Sequence, residues 1–253
     1  MSGVDIKRVQ SRLLKMGIEI TTILEKHSIP YMLSFGTLLG AVRHEGFIPW
    51  DDDFDLIIFE DKYDEAIEYL RNELPSNLFL EDDKSEPLYF HGWAHVKDKG
   101  TQAYSDAFPH DNLYKHKGLS VDLYKSYKVK KSNLYEFLNV ENEKYIERRK
   151  SKGTISDEEY EKRINNLSRE RGKSNPFKNE DELVYALFTN HERKYMDVVD
   201  VTPQKKYSFA GYEFWGPHNG EKLLTEMYGD FMKLPSIEKR ERHYSTVEFL
   251  DIT

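Results

Sequence analysis

Apolar residues recur at spacings of three and four from Ile6 through Val9, Leu13, Met16, Ile20 and Ile23 to Leu24. That spacing predicts an amphipathic helix over 5–27. A short apolar run, Tyr31–Ser34, then predicts a strand. Gly36 supplies a turn and Thr37 an N-cap for a second, short helix. After the connector "HEGFIPW", a strand is expected over Asp53–Phe59, followed by an amphipathic helix from Asp61 to Leu74 that stops at Pro75. Leu78–Leu80, Trp93–Val96 and Leu119–Tyr127 are further strand candidates. From 128 to 195 the chain is rich in Lys, Glu, Arg and Asn, and its patterning is helical. Ser156 and Glu159 have capping-box spacing and open a helix toward Arg171. "GKSNPFKNED" reads as a loop. In the tail, "YSFAGYEFWGP" reads as a hairpin and "GEKLLTEMYGD" as a helix ending at Gly229. The expectation is an α+β chain in three parts: a mixed-sheet core over 1–127, a charged helical insertion over 128–195, and a segment over 196–253 that packs back on the core.

Composition narrows the functions open to such a chain. A formal net charge of -8 and a pI near 5.7 argue against binding a nucleic acid polymer, which needs a basic face. An acidic protein can take a phosphorylated small molecule only through a local device such as a metal, a helix N-terminus or a few placed bases. The absence of cysteine excludes a disulfide framework and a thiolate zinc site. A mean hydropathy of -0.74 and the lack of a long apolar run argue against a membrane span. With no signal-peptide stretch in "MSGVDIKRVQ", a cytoplasmic location is expected, and contact with the inner face of a membrane is compatible with it.

Candidate chemistry is concentrated in "WDDDFDLIIF", where Asp51, Asp52, Asp53 and Asp55 fall within five positions and run into apolar residues. In a strand, Asp53 and Asp55 share a face with Cα atoms about 6.6 Å apart. Unpaired carboxylates beside a buried strand cost several kcal/mol, and a divalent cation with a preference for oxygen removes that cost. Asp51 and Asp52 also suit a turn, and Asp53 and Asp55 also suit an ion-paired edge strand. A calcium loop fits less well, because the glycine and distal glutamate of the EF-hand pattern are missing. Upstream, "SFGTLLGA" opens a helix with a glycine turn, whose free N–H groups suit a phosphate.

The whole stretch "SFGTLLGAVRHEGFIPWDDDFDLIIF" resembles the signature of the LicD family, the cholinephosphotransferase-like and fukutin-related transferases of the nucleotidyltransferase superfamily. "MYGDFMKLP" at 227–235 resembles the family's C-terminal segment, with His243 following. The middle lobe has no recognisable counterpart. The resemblance implies a nucleotidyltransferase-like core, a mixed sheet flanked by helices. It also implies transfer of a phospho-alcohol such as phosphocholine from a CDP-activated donor to a glycan hydroxyl, with CMP leaving. The acceptor implied is a cell-surface or capsular polysaccharide, lipopolysaccharide and teichoic acid among them, or a lipid-linked precursor. By the same resemblance Gly36 and Thr37 hold donor phosphate, and Asp53 and Asp55 ligate magnesium or manganese. Asp122, in "GLSVDLYKSY", is the third carboxylate, ahead of Asp98, Asp106 and Asp111, which sit in loop-like contexts. Arg43, His44 and Trp50 are substrate-binding candidates, each with an ordinary structural role as the alternative. Asp51 and Asp52 are candidates for orienting the metal ligands, and His243 for a substrate contact. The cysteine-containing zinc site of fukutin-related members is not expected here. Rival readings are a small-molecule nucleotidyltransferase using an NTP, a nucleotide-sugar transferase, and a non-catalytic acidic binding module.

Overall fold

A computed structural model describes residues 4–172, 175–189, 192–240 and 242–250. The first expected helix forms as α1 (Ile6–Lys26), with the Asp5 carboxylate accepting the Arg8 N–H at its start. It is followed by β1 (Tyr31–Leu33), α2 (Phe35–His44), β2 (Asp55–Phe59), α3 (Glu60–Glu73), β3 (Leu78–Glu81), β4 (Ala94–Asp98), β5 (Thr101–Tyr104) and β6 (Ser120–Lys130). The later elements are α4 (Leu134–Ser151), α5 (Asp157–Arg171), β7 (Leu183–Thr189), β8 (Glu192–Asp197), α6 (Val198–Val201), β9 (Lys205–Phe209), β10 (Tyr212–Gly216), α7 (Gly220–Tyr228) and β11 (Thr246–Phe249).

The main sheet runs β1-β2-β6-β4-β3, with β2 and β6 parallel and the other neighbours antiparallel. Its helices and mixed pairing make the chain α+β. β2 is buried on both faces, as its unbroken apolar run requires. Phe54, Leu56 and Ile58 join the core formed with Val9, Leu13, Met16 and Ile20 of α1 and with Ala66 and Leu70 of α3. Ile57 and Phe59 face the opposite way, toward Leu187, Met196, Val201 and Leu223. Each such side chain contributes about 1.5–3 kcal/mol of burial. This is what fixes the register that the site depends on.

Four expectations are corrected. First, α2 starts at Phe35, with Ser34 at the N-cap position, so Gly36 and Thr37 lie inside its first turn. Phe35 makes the turn itself at φ +44, and the Thr37 hydroxyl accepts the Asp55 N–H instead of capping the helix. Second, β2 begins at Asp55, not Asp53, because its partner β1 ends at Leu33 opposite Leu56. Third, residues 128–195 are helical only across α4 and α5. β6 runs on to Lys130, and β7 and β8 add a hairpin to its far end through Tyr127–Lys130. The run "LVYALFT" is a buried strand, which apolar periodicity alone does not separate from a helix. Fourth, β5 and β11 pair with each other and were not foreseen. Each, "TQAY" and "TVEF", is four residues long, too short for its alternation to stand out.

Other expectations hold. Ser156 caps α5 by accepting the Glu159 N–H, and β9 and β10 form a hairpin turned at Ala210 and Gly211. α7 ends at Gly229.

Candidate active site

The parallel register of β2 and β6 sets Asp55 directly beside Asp122. The antiparallel registers continue the row, Asp122 opposite His95 and His95 opposite Glu81. Cross-strand partners share a face with Cβ atoms about 4.5–5.5 Å apart, so four ionisable side chains form one transverse band. His95 Nε2 is 3.5 Å from Asp122 Oδ1, and its Nδ1 is 3.4 Å from Glu81 Oε2. The Tyr124 hydroxyl donates to Asp122 Oδ2 at 3.0 Å. Asp55 is fixed from below by its own N–H, which donates to Thr37 Oγ1 at 2.8 Å.

Asp51, Asp52 and Asp53 approach the band from the loop before β2. Asp52 is fully buried and accepts the backbone N–H groups of His243 (2.8 Å) and Tyr244 (3.0 Å), which pins the C-terminal segment over the site. His243 Nδ1 lies 3.2 Å from Asp52 Oδ1 and 3.3 Å from Asp53 Oδ2. Asp51 packs against α2 so closely that a Cβ on Gly36 would stand 2.8 Å from its Oδ2. A side chain at position 36 would push that carboxylate away from the first turn of α2. Among the described residues, Asp51, Asp53 and His243 form the set whose donor atoms all lie within 4.8 Å of one another. Asp53 has left the strand line and turns toward that set.

The electrostatics describe a cluster short of positive charge. Burial, then the charges of Asp53 and Asp122, push Asp55 well above the usual carboxylate range. Asp53 is raised by burial, with His243 and Asp51 opposing. Asp51 is pushed up to about 9 by burial and by the Asp53 charge. His243 is pushed up to about 10, chiefly by Asp53, against the opposing effect of burial. Asp53 Oδ1 is buried with no hydrogen-bond partner among the described residues. Oxygen donors, an orphaned carboxylate oxygen and raised carboxyl groups together fit a hard divalent cation.

Other candidates lie elsewhere. Arg43 donates to His44 Nε2 (2.9 Å) and to the Phe231 carbonyl (2.5 Å). Arg240 stacks over Trp50, 4.3 Å from the ring centroid. Arg43 and Trp50 line a separate hollow closed by Tyr228, Phe231 and Leu234, so the two stretches that carry the family resemblance pack together there. Asp98 closes a turn by accepting the Gly100 N–H and pairs with Arg12, while Asp106 is exposed beside Ser245. Asp111 reaches the site's cleft, where His91 and Lys97 outweigh its burial and hold it down at about 2.

His95, Glu81, Lys97, His91, Trp93 and Tyr244 were not foreseen. For His95 the signal was present, since within the expected strand Trp93–Val96 it alternates with Ala94 and Val96; Lys97 lies one residue beyond that expected strand and joins the same face because the strand runs on to Asp98.

One cavity is lined by the aspartates and a second opens at the start of α2. The first, of about 100 Å³, opens between Asp53, Asp122, His243 and the β4 side chains. The second, of about 460 Å³, is lined by Phe35, Leu187, Tyr195, Met196 and Met227. An aromatic wall stands beside them, with Tyr124 packed 5.1 Å from Phe35 and 4.9 Å from Trp93 between ring centroids.

The sheet sets carboxylates on adjacent parallel strands beside a helix N-terminus, and similarity to known proteins makes the chain a transferase of phosphate-containing groups. Residues 28–152 match the nucleotidyltransferase domain described as LicD/FKTN/FKRP, and through them the chain belongs to the LicD family. It is similar to the lipopolysaccharide cholinephosphotransferase LicD of Haemophilus influenzae, 26% identical over 243 residues, covering 88% of this chain and 89% of that protein. Uncharacterised proteins of Rickettsia prowazekii and Rickettsia typhi are each 56% identical over 41 residues, 16% of this chain and 15% and 13% of theirs.

Proposed function

We propose that the protein transfers a phospho-alcohol, with phosphocholine the first choice, from a CDP-activated donor to a hydroxyl of a cell-surface glycan such as lipopolysaccharide, releasing CMP. The observation that carries this reading is the side-by-side register of Asp55 and Asp122, with Asp53 and the α2 N-terminus next to it. The name of the Haemophilus relative supports the choice of phosphocholine and of the lipopolysaccharide acceptor.

Asp53, Asp55 and Asp122 would hold magnesium, or manganese in its place, with Asp51 and His243 beside them. Bound there, the ion neutralises the diphosphate and polarises the phosphoryl oxygen. The N–H groups around Gly36 take donor phosphate oxygens, and the cavity of about 460 Å³ beside Phe35 receives the nucleoside. The acceptor enters from the β4 side, in line with the leaving CMP. Its oxygen bonds to the distal phosphorus, the bond from that phosphorus to the CMP oxygen breaks, and CMP leaves with the electron pair. The hydroxyl proton passes to Asp122, which Tyr124 and His95 keep aimed at the cleft. Among the described residues no helix is long and apolar enough to cross a membrane. Peripheral contact with the inner face of a membrane is part of the same proposal.

The experiment is a donor screen with magnesium and a lipopolysaccharide acceptor, using CDP-choline, other CDP-alcohols, CTP and ATP. CMP formed from a CDP-alcohol in step with labelled glycan is the expected product pair. Pyrophosphate formed from CTP or ATP as the sole product would replace this reading with an NTP-dependent nucleotidyltransferase.

A further inference from the structure

The smaller cleft contains basic and donor groups that the aspartates do not use. Lys97 is only 5% exposed, yet it lines this cleft. Among the described residues its ammonium makes no hydrogen bond, and the one carboxylate oxygen within 4 Å is Glu81 Oε2, at 3.9 Å. Burial works against its charge, but Tyr244, Glu81, Asp111 and Asp122 outweigh that and keep it above the ordinary lysine value. The Lys97 side chain is buried along its length and lines the cleft, where its ammonium donors are open to a group that enters. Two buried polar atoms in residues of the same cleft have no partner among the described residues, Trp93 Nε1 and His91 Nδ1. Lys117 completes the lining, its ammonium 5.7 Å from the Tyr104 ring centroid.

We propose that Lys97, with Lys117 and the Trp93 indole, forms an oxyanion subsite that takes a phosphate or carboxylate group carried by the acceptor saccharide. This rests on the transferase reading for the word acceptor, but the anion chemistry stands apart from it. A cavity of about 100 Å³ is well under the roughly 300 Å³ of a drug-sized pocket and suits one such group rather than a nucleotide.

Direction across the sheet assigns the source. The helix N-terminus and Asp51 flank β2, Asp122 follows on β6, and Lys97 lies beyond it on β4, opposite Ser120. Donor phosphates seated at α2 are thus on the far side of the carboxylates from Lys97. In-line attack brings the acceptor in from the Lys97 side. Its anionic group on Lys97 would set the distance at which a neighbouring hydroxyl meets Asp122, so neutral sugars would be poor acceptors.

The test is calorimetric titration of the full-length protein with inorganic phosphate, with and without magnesium and against matched chloride. The variants are Lys97→Met, Lys97→Arg and Lys117→Met. Phosphate binding weakened at least ten-fold in K97M, restored in K97R and weakened in K117M supports the subsite. Equal affinity in wild type and K97M, or no phosphate binding to wild type, overturns it. If K97M does not fold, K117M decides, and unchanged phosphate affinity there overturns the proposal. Glucose 6-phosphate and CDP-choline then separate the sources. At least ten-fold weaker glucose 6-phosphate binding in K97M, with less than a two-fold change for CDP-choline, supports the acceptor. The opposite split overturns that assignment. Lys97-dependent phosphate binding in a protein that ignores CDP-choline would leave the subsite standing and remove the CDP-alcohol reading.

Discussion

Thr37 was expected to touch substrate, yet it is buried and its hydroxyl accepts the N–H of Asp55, a residue 18 positions downstream. Its contribution is to set where the Asp55 carboxylate stands. Thr37→Ser keeps that acceptor, whereas Thr37→Ala leaves a buried N–H unpaired at a cost of about 1–3 kcal/mol. Thr37→Ala should lower kcat about ten-fold or more with a reduced melting temperature, and Thr37→Ser should stay near wild type. Equal activity in the two variants would remove this positioning role. A second residue-scale prediction concerns pH. Asp51 is raised from 3.8 to about 9, so across that window the folded chain keeps a proton that the unfolded chain has released. Stability therefore falls as pH rises. His243, raised from 6.5 to about 10, stabilises fully below pH 6.5 and loses that contribution as pH climbs through 10. Both act in the same direction. In EDTA the melting temperature should fall from pH 6.5 to 9, less steeply in Asp51→Asn, and a flat or rising wild-type curve would contradict the assignment. In the sequence, Asp55 was readable from the apolar run it leads into, and Asp122 as its neighbour only through the family resemblance, whose apolar-flanked aspartate it matches. The work of Thr37 was not, because its partner is set by tertiary register.

At the scale of elements, the site depends on which strands become neighbours. The apolar run of β2 and the flanks of Asp122 were legible, whereas the His95–Glu81 continuation required β4 and β3 to dock in a particular register. β5 and β11 were missed for a different reason. Each is a strand of four residues, too short for its alternation to stand out in the sequence, and each finds its partner far along the chain, Thr101 opposite Phe249 and Tyr104 opposite Thr246. Their pairing matters because it returns the tail across the cleft, where Asp52 clasps His243 and Tyr244. Asp52→Ala should release that clasp without touching the β2 carboxylates. The expected result is a stability loss of about 1–3 kcal/mol and enhanced amide exchange at 243–249. Exchange unchanged in that segment would show that the tail is held by other contacts.

For the whole molecule, a net charge of -8 and the anionic donor of the proposed reading pose one problem. In that reading the answer is local: carboxylates drawn from adjacent strands gather beside the first turn of α2, where a bound cation would reverse the local sign, while lysines line the smaller cleft. The α+β class was legible because long periodic helices and short apolar strands alternate. The hairpin of β7 and β8 was not, because a buried apolar run of seven residues suits either element. The central claim is that Asp53, Asp55 and Asp122 act as one transfer site, and Asp122→Asn tests it most directly. CMP release from CDP-choline in the presence of lipopolysaccharide and magnesium is followed beside the melting temperature. The account predicts that wild type forms CMP and phosphocholine-bearing glycan in equal amounts, and that Asp122→Asn melts within a few degrees of it while losing about 10²-fold or more in rate. A folded Asp122→Asn protein that releases CMP within a few-fold of wild type would contradict it.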